Sequence, residues 1–141
     1  MATIGTYLTF NGNAEDVFNF YKSVFGGEFA TFQRFKDTGH GDNLSDQDKE
    51  KIMHVALPVG NSILMASDAV ESMGNKVIEG TNFSLSVDAK SEDEANAIFS
   101  GISAGGKVTM AMEKTFWGAY FGMCTDKFGI QWMVNYDYPK Q

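Results

Sequence analysis

Hydrophobic and polar positions follow two periods along this chain, and the periods come in the same order twice. Residues 3–10, Thr-Ile-Gly-Thr-Tyr-Leu-Thr-Phe, alternate and are rich in β-branched and aromatic types, which predicts a strand. Asn11-Gly12-Asn13 ends it. Ala14, Val17, Phe18, Tyr21, Val24 and Phe25 then recur at helical spacing, behind an expected Asn13 N-cap with Glu15 and Asp16 in the first turn, and Gly26-Gly27 supplies the stop. Glu28 to Phe35 reads as a second strand. The polar stretch Lys36 to Lys51 reads as a long loop, with room for one helical turn after Ser45. Ile52–Val59 and Ser62–Ser67 read as strands joined by the two-residue turn Gly60-Asn61.

Residues 69–80 show no sustained period and form the expected linker, with a turn at Gly74-Asn75. After it the pattern restarts. Thr81 to Asp88 alternates as a strand, and Ser91-Glu92-Asp93-Glu94 is a capping box that opens a helix with Ala95, Ile98, Phe99 and Ile102 on one face. Gly105-Gly106 closes that helix. A strand from Lys107 to Lys114 leads to a hairpin, in which two aromatic runs between Phe116 and Tyr136 flank the break Thr125-Asp126-Lys127-Phe128-Gly129. The order is β-α-β-β-β, linker, β-α-β-β-β: one α+β domain, 1–141, made of two βαβββ modules, 3–68 and 81–137.

Composition narrows the class without changing that picture. The chain has 141 residues, 43% hydrophobic and 21% charged, enough for one well-buried domain and too ordered in pattern for disorder. Eighteen acidic against eleven basic residues give a net charge of -7. With no Lys/Arg cluster, nucleic acid is not an expected partner. No apolar run approaches membrane-spanning length, and Met1 to Thr6 has no leader character, so a cytoplasmic protein with no membrane partner is expected. Single Cys124 cannot form an internal disulfide, and with no His or Lys at obvious spacing it reads as a small buried hydrophobe.

Leu8-Thr9-Phe10-Asn11-Gly12-Asn13-Ala14-Glu15, Phe20-Tyr21-Lys22-Ser23-Val24-Phe25-Gly26-Gly27, Ile52-Met53-His54-Val55, Leu64-Met65-Ala66-Ser67-Asp68 and Trp117 to Asn135 carry a family resemblance. Through these blocks the chain resembles the vicinal oxygen chelate superfamily, which includes glyoxalase I, extradiol dioxygenases and bleomycin-resistance proteins. Within it the chain is similar to the PhnB-like branch, labelled 3-demethylubiquinone methyltransferase-like. The resemblance implies curved mixed sheets around a cavity, helices outside, a small-molecule ligand and a homodimer. Metal-dependent members carry one inward ligand on each of four strands. Those positions fall here on Thr6, Met65, Asn82 and Met133, which form no usual donor set for a transition metal. No metal and no cofactor is therefore expected. No Gly-rich strand-to-helix turn supports a nucleotide-like cofactor, so the label does not establish methyl transfer.

Strand alternation supplies the remaining candidates. If Val59 and Ser62 flank the Gly60-Asn61 turn, Ala56 lies opposite Met65 and His54 opposite Ser67, which places His54 on the Met65 face. Asn82, Ser84 and Ser86 share the polar face of their strand, and Gln131 shares a face with Met133, while Trp132 is expected in the core. The cavity-lining set expected from the sequence is Thr6, Leu8, His54, Met65, Ser67, Asn82, Ser84, Trp117, Phe121, Gln131 and Met133. His54 is equally readable as a histidine tied by a backbone hydrogen bond, and His40 as a solvated loop residue. Asp68 and Asp126, at strand ends, read as turn or capping groups. Three functions compete: a small-molecule binder, a metal-dependent lyase, isomerase or dioxygenase with displaced ligands, and a structural dimer module without ligand.

Overall fold

The computed structural model describes residues 1–39, 41–74 and 76–140, so the expectations for His40 and for Asn75 in the linker turn fall outside the described residues. The chain divides into two compact units, Met1–Ile78 and Glu79–Gln141. In the first, β1 (Thr6–Phe10), β2 (Thr31–Arg34), β3 (Ile52–Val59) and β4 (Ser62–Asp68) form a sheet of order β1-β4-β3-β2, with α1 (Ala14–Phe25) after β1 and the short α2 (Asp46–Lys49) before β3. The second repeats the scheme. Its sheet, β5-β8-β7-β6, is built from β5 (Leu85–Asp88), β6 (Lys107–Lys114), β7 (Ala119–Thr125) and β8 (Gln131–Asp137), with α3 (Glu92–Ser103) between β5 and β6. In each sheet one outer strand runs parallel to its neighbour and the other pairings are antiparallel. The fold is α+β and glyoxalase-like. No described helix is long and apolar enough to cross a membrane.

Each helix covers one face of its own sheet. Ala14, Val17, Phe18 and Tyr21 of α1 have no exposed surface, and α1 lies chiefly against β3, where Val55 and Leu57 are equally buried. Burying a side chain such as Phe18 or Val17 is worth about 1.5–3 kcal/mol, enough to hold a helix that would be marginal alone. In the second unit Ala95, Phe99 and Ile102 of α3 are buried, as are Trp132 and Val134 of β8. Phe99 reaches Gly122, where an added Cβ would stand 3.0 Å from its ring and 2.6 Å from Met112 Sδ.

Strand ends differ from the expected ones where pairing runs out. β5 starts at Leu85 rather than Thr81, because its parallel neighbour β8 begins at Gln131 and Leu85 already pairs with Trp132; Asn82 has no strand to join. β1 starts at Thr6, which pairs with Leu64, two residues into β4. The turn at Gly60-Asn61 is as expected: Val59 pairs with Ser62 and Gly60 takes φ 58°, a left-handed conformation that Gly adopts without strain. The helical turn after Ser45 is α2, whose Asp48 N–H donates to Ser45 Oγ at 3.1 Å. Part of the expected linker is core, with Ala69 and Val70 buried and a 3₁₀ turn at Glu71–Met73.

Two buried carboxylates tie these ends together. Asn13 makes no side-chain cap to α1. Asp68, at the end of β4, takes that role: Oδ1 accepts from Gly12 N–H at 3.2 Å and Ala14 N–H at 2.9 Å, and Oδ2 accepts from Ile52 N–H at 2.8 Å. One side chain therefore closes the end of β1, the start of α1 and the start of β3. In the second unit Asp126 Oδ1 accepts from Phe128 and Ile130 N–H at 2.9 and 3.0 Å, and Oδ2 accepts from Trp132 Nε1–H at 2.9 Å.

Candidate functional site

In the first unit the register sorts every strand residue onto one of two faces. Thr6 pairs with Leu64 and Leu8 with Ala66, on the face that carries buried Val55 and Leu57 and meets α1. Tyr7 pairs with Met65 and Thr9 with Ser67, on the opposite, open face. A one-residue slip moves every side chain to the other face, so the expected inward positions Thr6 and Leu8 are corrected to Tyr7 and Thr9. Leu8, 6% exposed, is core beneath the helix. The apolar positions Leu8 and Phe10, separated by Thr9, carried the signal for this phase.

Across the open face the side chains form two rows. Tyr7, Met65, Ala56 and Thr31 make one; Thr9, Ser67, His54 and Gln33 make the next. The structure thus brings together His54, Met65 and Ser67 as the Gly60-Asn61 register requires. The Tyr7 ring spans the rows to stack on His54, with centroids 5.7 Å apart at 22° and the hydroxyl 3.4 Å from Nδ1. Tyr7 remains 49% exposed, while His54, Met65 and Ser67 are half-buried. Sequence reasoning missed Tyr7, Thr9 and Gln33. Just before β1, Gly5 presses on this face: a Cβ there would stand 3.0 Å from Met65 Cε.

In the second unit, Gln131 and Met133 of β8 share a face with Phe121 and Met123 of β7 and with Ser86 of β5. Trp117 lies in the turn before β7 rather than on a strand, 59% exposed, edge-on to Phe121 at 6.2 Å and to Phe116 at 4.9 Å. Ser84 precedes β5 and is half-buried, whereas Asn82 is exposed in the preceding loop. Gln131 Nε2–H donates to the Phe83 carbonyl, which engages its amide within the protein.

A separate cleft of about 400 Å³ in the first unit went unread in the sequence. Arg34 Nη2–H donates to Glu15 at 2.9 Å and Nη1–H to the Glu50 carbonyl at 2.8 Å; Lys36 pairs with Glu50 at 2.8 Å. The Glu15 carboxylate, and further Glu50 and Asp37, hold the guanidinium pKa above its ordinary value. Lys51 pairs with Asp48 at 2.9 Å, and Asp68 closes the floor. Arg34 thus joins β2 to Glu15 of α1 and to the Glu50 carbonyl just after α2.

Of the four positions that the resemblance aligns with the ligands of metal-dependent members, none carries an imidazole or a carboxylate. Thr6 is on the helix-covered face, Asn82 is off the sheet, and Met65 is a thioether packed against Gly5. Thioether, hydroxyl and amide donors do not suit a divalent transition metal at these positions. Among the described residues, no group of three or more His, Cys, Asp or Glu could hold a metal ion. Cys124 is buried, and desolvation, then the Asp126 charge, push its thiol up to about 11.

Two four-stranded mixed sheets, each backed by a helix on one face, define a glyoxalase-type protein. The sequence model of the family described as 3-demethylubiquinone-9 3-methyltransferase matches residues 2–135, and the chain belongs to that PhnB-like family. The structure is similar to protein PA1353 from Pseudomonas aeruginosa, with TM-score 0.85, 38% identity and coverage of 97% of this chain and 98% of that one. It is also similar to a Bacillus cereus PhnB protein described as a 3-demethylubiquinone-9 3-methyltransferase, with TM-score 0.77, 25% identity and coverage of 96% and 99%. At 20% identity it shares its fold, with TM-score 0.63 and coverage of 94% and 98%, with a glyoxalase/bleomycin resistance protein/dioxygenase family enzyme from Burkholderia phytofirmans PsJN.

Proposed function

We propose that this protein binds a small molecule on the open face of its first sheet, around Tyr7, His54, Met65 and Ser67, and that it does so without the divalent metal used by metal-dependent relatives. The observation that carries the reading is the Tyr7–His54 pair. A stacked Tyr and His, half-exposed on the face away from the helix and joined by one long polar contact, presents both a hydrogen-bonding edge and an aromatic surface. Such pairs are easily opened by a ligand. The thioethers Met65 and Met133, at positions aligned with ligands of metal-dependent relatives, support the part of the reading that concerns metal.

Methyl transfer, which the family description names, receives no support from the helix starts. The first amide of α1, Ala14 N–H, donates to Asp68, and Glu94 N–H of α3 donates to Ser91 Oγ at 3.0 Å, so each helix start has a side chain of the protein itself as an acceptor. A homodimer and a cytoplasmic location complete the proposal. A reduced, buried Cys124 is compatible with that location.

The test is a thermal-shift screen of the metal-free protein against a chemically broad library, followed by NMR of ¹³C-methyl methionine. Stabilising compounds are expected to move the Met65 methyl resonance and to lose affinity in Tyr7→Phe. Stabilisation only by divalent ions, or hits that leave Met65 and Tyr7 untouched, would sink the reading. Sedimentation velocity at micromolar concentration tests the dimer, and a monomer at all concentrations removes that part.

A further inference from the structure

The open face of the first sheet carries no charged side chain. Its positions are Tyr7 and Thr9 on β1, Ile63, Met65 and Ser67 on β4, His54, Ala56 and Pro58 on β3, and Thr31 and Gln33 on β2, and no Lys, Arg, Asp or Glu is among them. The chain as a whole is 21% charged and acidic, and Arg34, Lys36, Glu15 and Glu50 are paired with one another at the cleft beside α1. Sheet faces that simply meet water usually carry charges, which keep strands soluble and unpaired. Here the charge is absent from the face and paired elsewhere.

What the face offers instead is polarisable surface and neutral hydrogen bonding. The Tyr7 ring, the His54 ring and the Met65 thioether are flat or soft groups that favour aromatic partners. Thr9, Ser67 and Gln33 add uncharged donors and acceptors in the adjoining row. An anion on this surface would exchange water for a site with no cation, inside a protein of net charge -7. A cation would find no carboxylate on the face, and one side of the Tyr7 ring is already covered by His54.

We propose that the ligand of this face is an uncharged, flat, polarisable molecule, an aromatic or heteroaromatic compound whose hydroxyl or carbonyl meets the Tyr7 hydroxyl and His54. The inference rests on the reading above that this face is the ligand site, and it adds the class of ligand. Inserting the ligand group at the 3.4 Å Tyr7–His54 contact replaces one long interaction by two short ones, and the ring of the ligand lies over Met65.

Three probes of one size separate the possibilities: naphthalen-2-ol, 2-naphthoate and naphthalen-2-ylmethylammonium, each titrated into the full chain at pH 7. Calorimetry gives affinity, and the Met65 methyl resonance gives position. Naphthalen-2-ol is expected to move Met65, to bind about tenfold or more tighter than either ion, and to weaken by about fivefold in Tyr7→Phe. Equal or tighter binding of either ion at Met65 overturns the ligand class while leaving the site standing. Binding of naphthalen-2-ol that leaves Met65 unmoved and is unchanged in Tyr7→Phe overturns the placement. If neither these probes nor the broader library perturbs Met65, both the class and the site fall.

Discussion

Asp68 carries more of the first unit than its place at a strand end suggests. Its three N–H donors come from residues as far apart in sequence as Gly12 and Ile52, and its side chain is only 4% exposed. Asp68→Asn keeps the size but turns an NH₂ toward amide donors, so it is expected to cost about 1.5–3 kcal/mol in urea unfolding. A cost below the error of the titration would show that these contacts do not hold the unit. The sequence marked Asp68 as a turn or capping group at a strand end but not what it caps, because its partners lie 16 to 56 residues away and Asn13 is a good local N-cap. Cys124 was legible, since a lone Cys with no His or Lys at obvious spacing reads as a small buried hydrophobe. Its thiol, held near 11 against an ordinary 9.0, keeps its proton when folded and loses it more readily when unfolded. This contribution to stability is full below about pH 9 and is lost as pH rises toward 11. The expected outcome is slow labelling by iodoacetamide at pH 8 in buffer and fast labelling in urea; equal rates would contradict the burial.

At the scale of elements, the two helices are capped by different means and should respond differently to mutation. Ser91 accepts from Glu94 N–H at 3.0 Å, and Glu94 accepts from Lys90 N–H at 3.0 Å, a local arrangement within five consecutive residues. Ser91→Ala is expected to cost about 1 kcal/mol, whereas Asn13→Ala, with no cap bond to lose, should change stability by less than about 0.5 kcal/mol. Circular dichroism during urea unfolding of both variants checks the contrast, and equal losses would overturn it. Gly106 marks a second element-level limit, where α3 passes into β6 and a Cβ would lie 2.2 Å from the Thr125 carbonyl oxygen. Gly106→Ala is therefore expected to destabilise by about 2–3 kcal/mol, by overpacking against backbone that cannot retreat. Sequence alone marked Gly105-Gly106 only as a helix stop. The approach of Thr125 depends on how β6 and β7 pair, and two register irregularities in that pair are invisible to alternation.

For the whole molecule, the repeated βαβββ order was legible because each element carries its own period and both helices end in Gly-Gly. The phase of β1 was not, because a strand of five residues gives alternation few positions from which to fix the covered face. That slip moved Thr6 and Leu8 to the wrong face and hid Tyr7, yet it left the donor argument intact: on the corrected face Gly5, Tyr7 and Thr9 precede and flank Met65, and none supplies an imidazole or carboxylate. The same holds at Met133, whose cross-strand partners are Ser86 and Met123. Thioethers and hydroxyls such as these have weak preference for Zn²⁺, Ni²⁺ or Mn²⁺. Metal that binds only the folded state raises stability by RT ln(1 + [M]/Kd), so even a micromolar site adds about 2.7 kcal/mol at a hundredfold excess. The expected outcome is a melting temperature unchanged by EDTA and by 0.1 mM Zn²⁺, Ni²⁺ or Mn²⁺. A rise of several degrees with one of them that is lost in His54→Gln would transfer the site from the Tyr7–His54 pair as a ligand anchor to His54 as a displaced metal ligand.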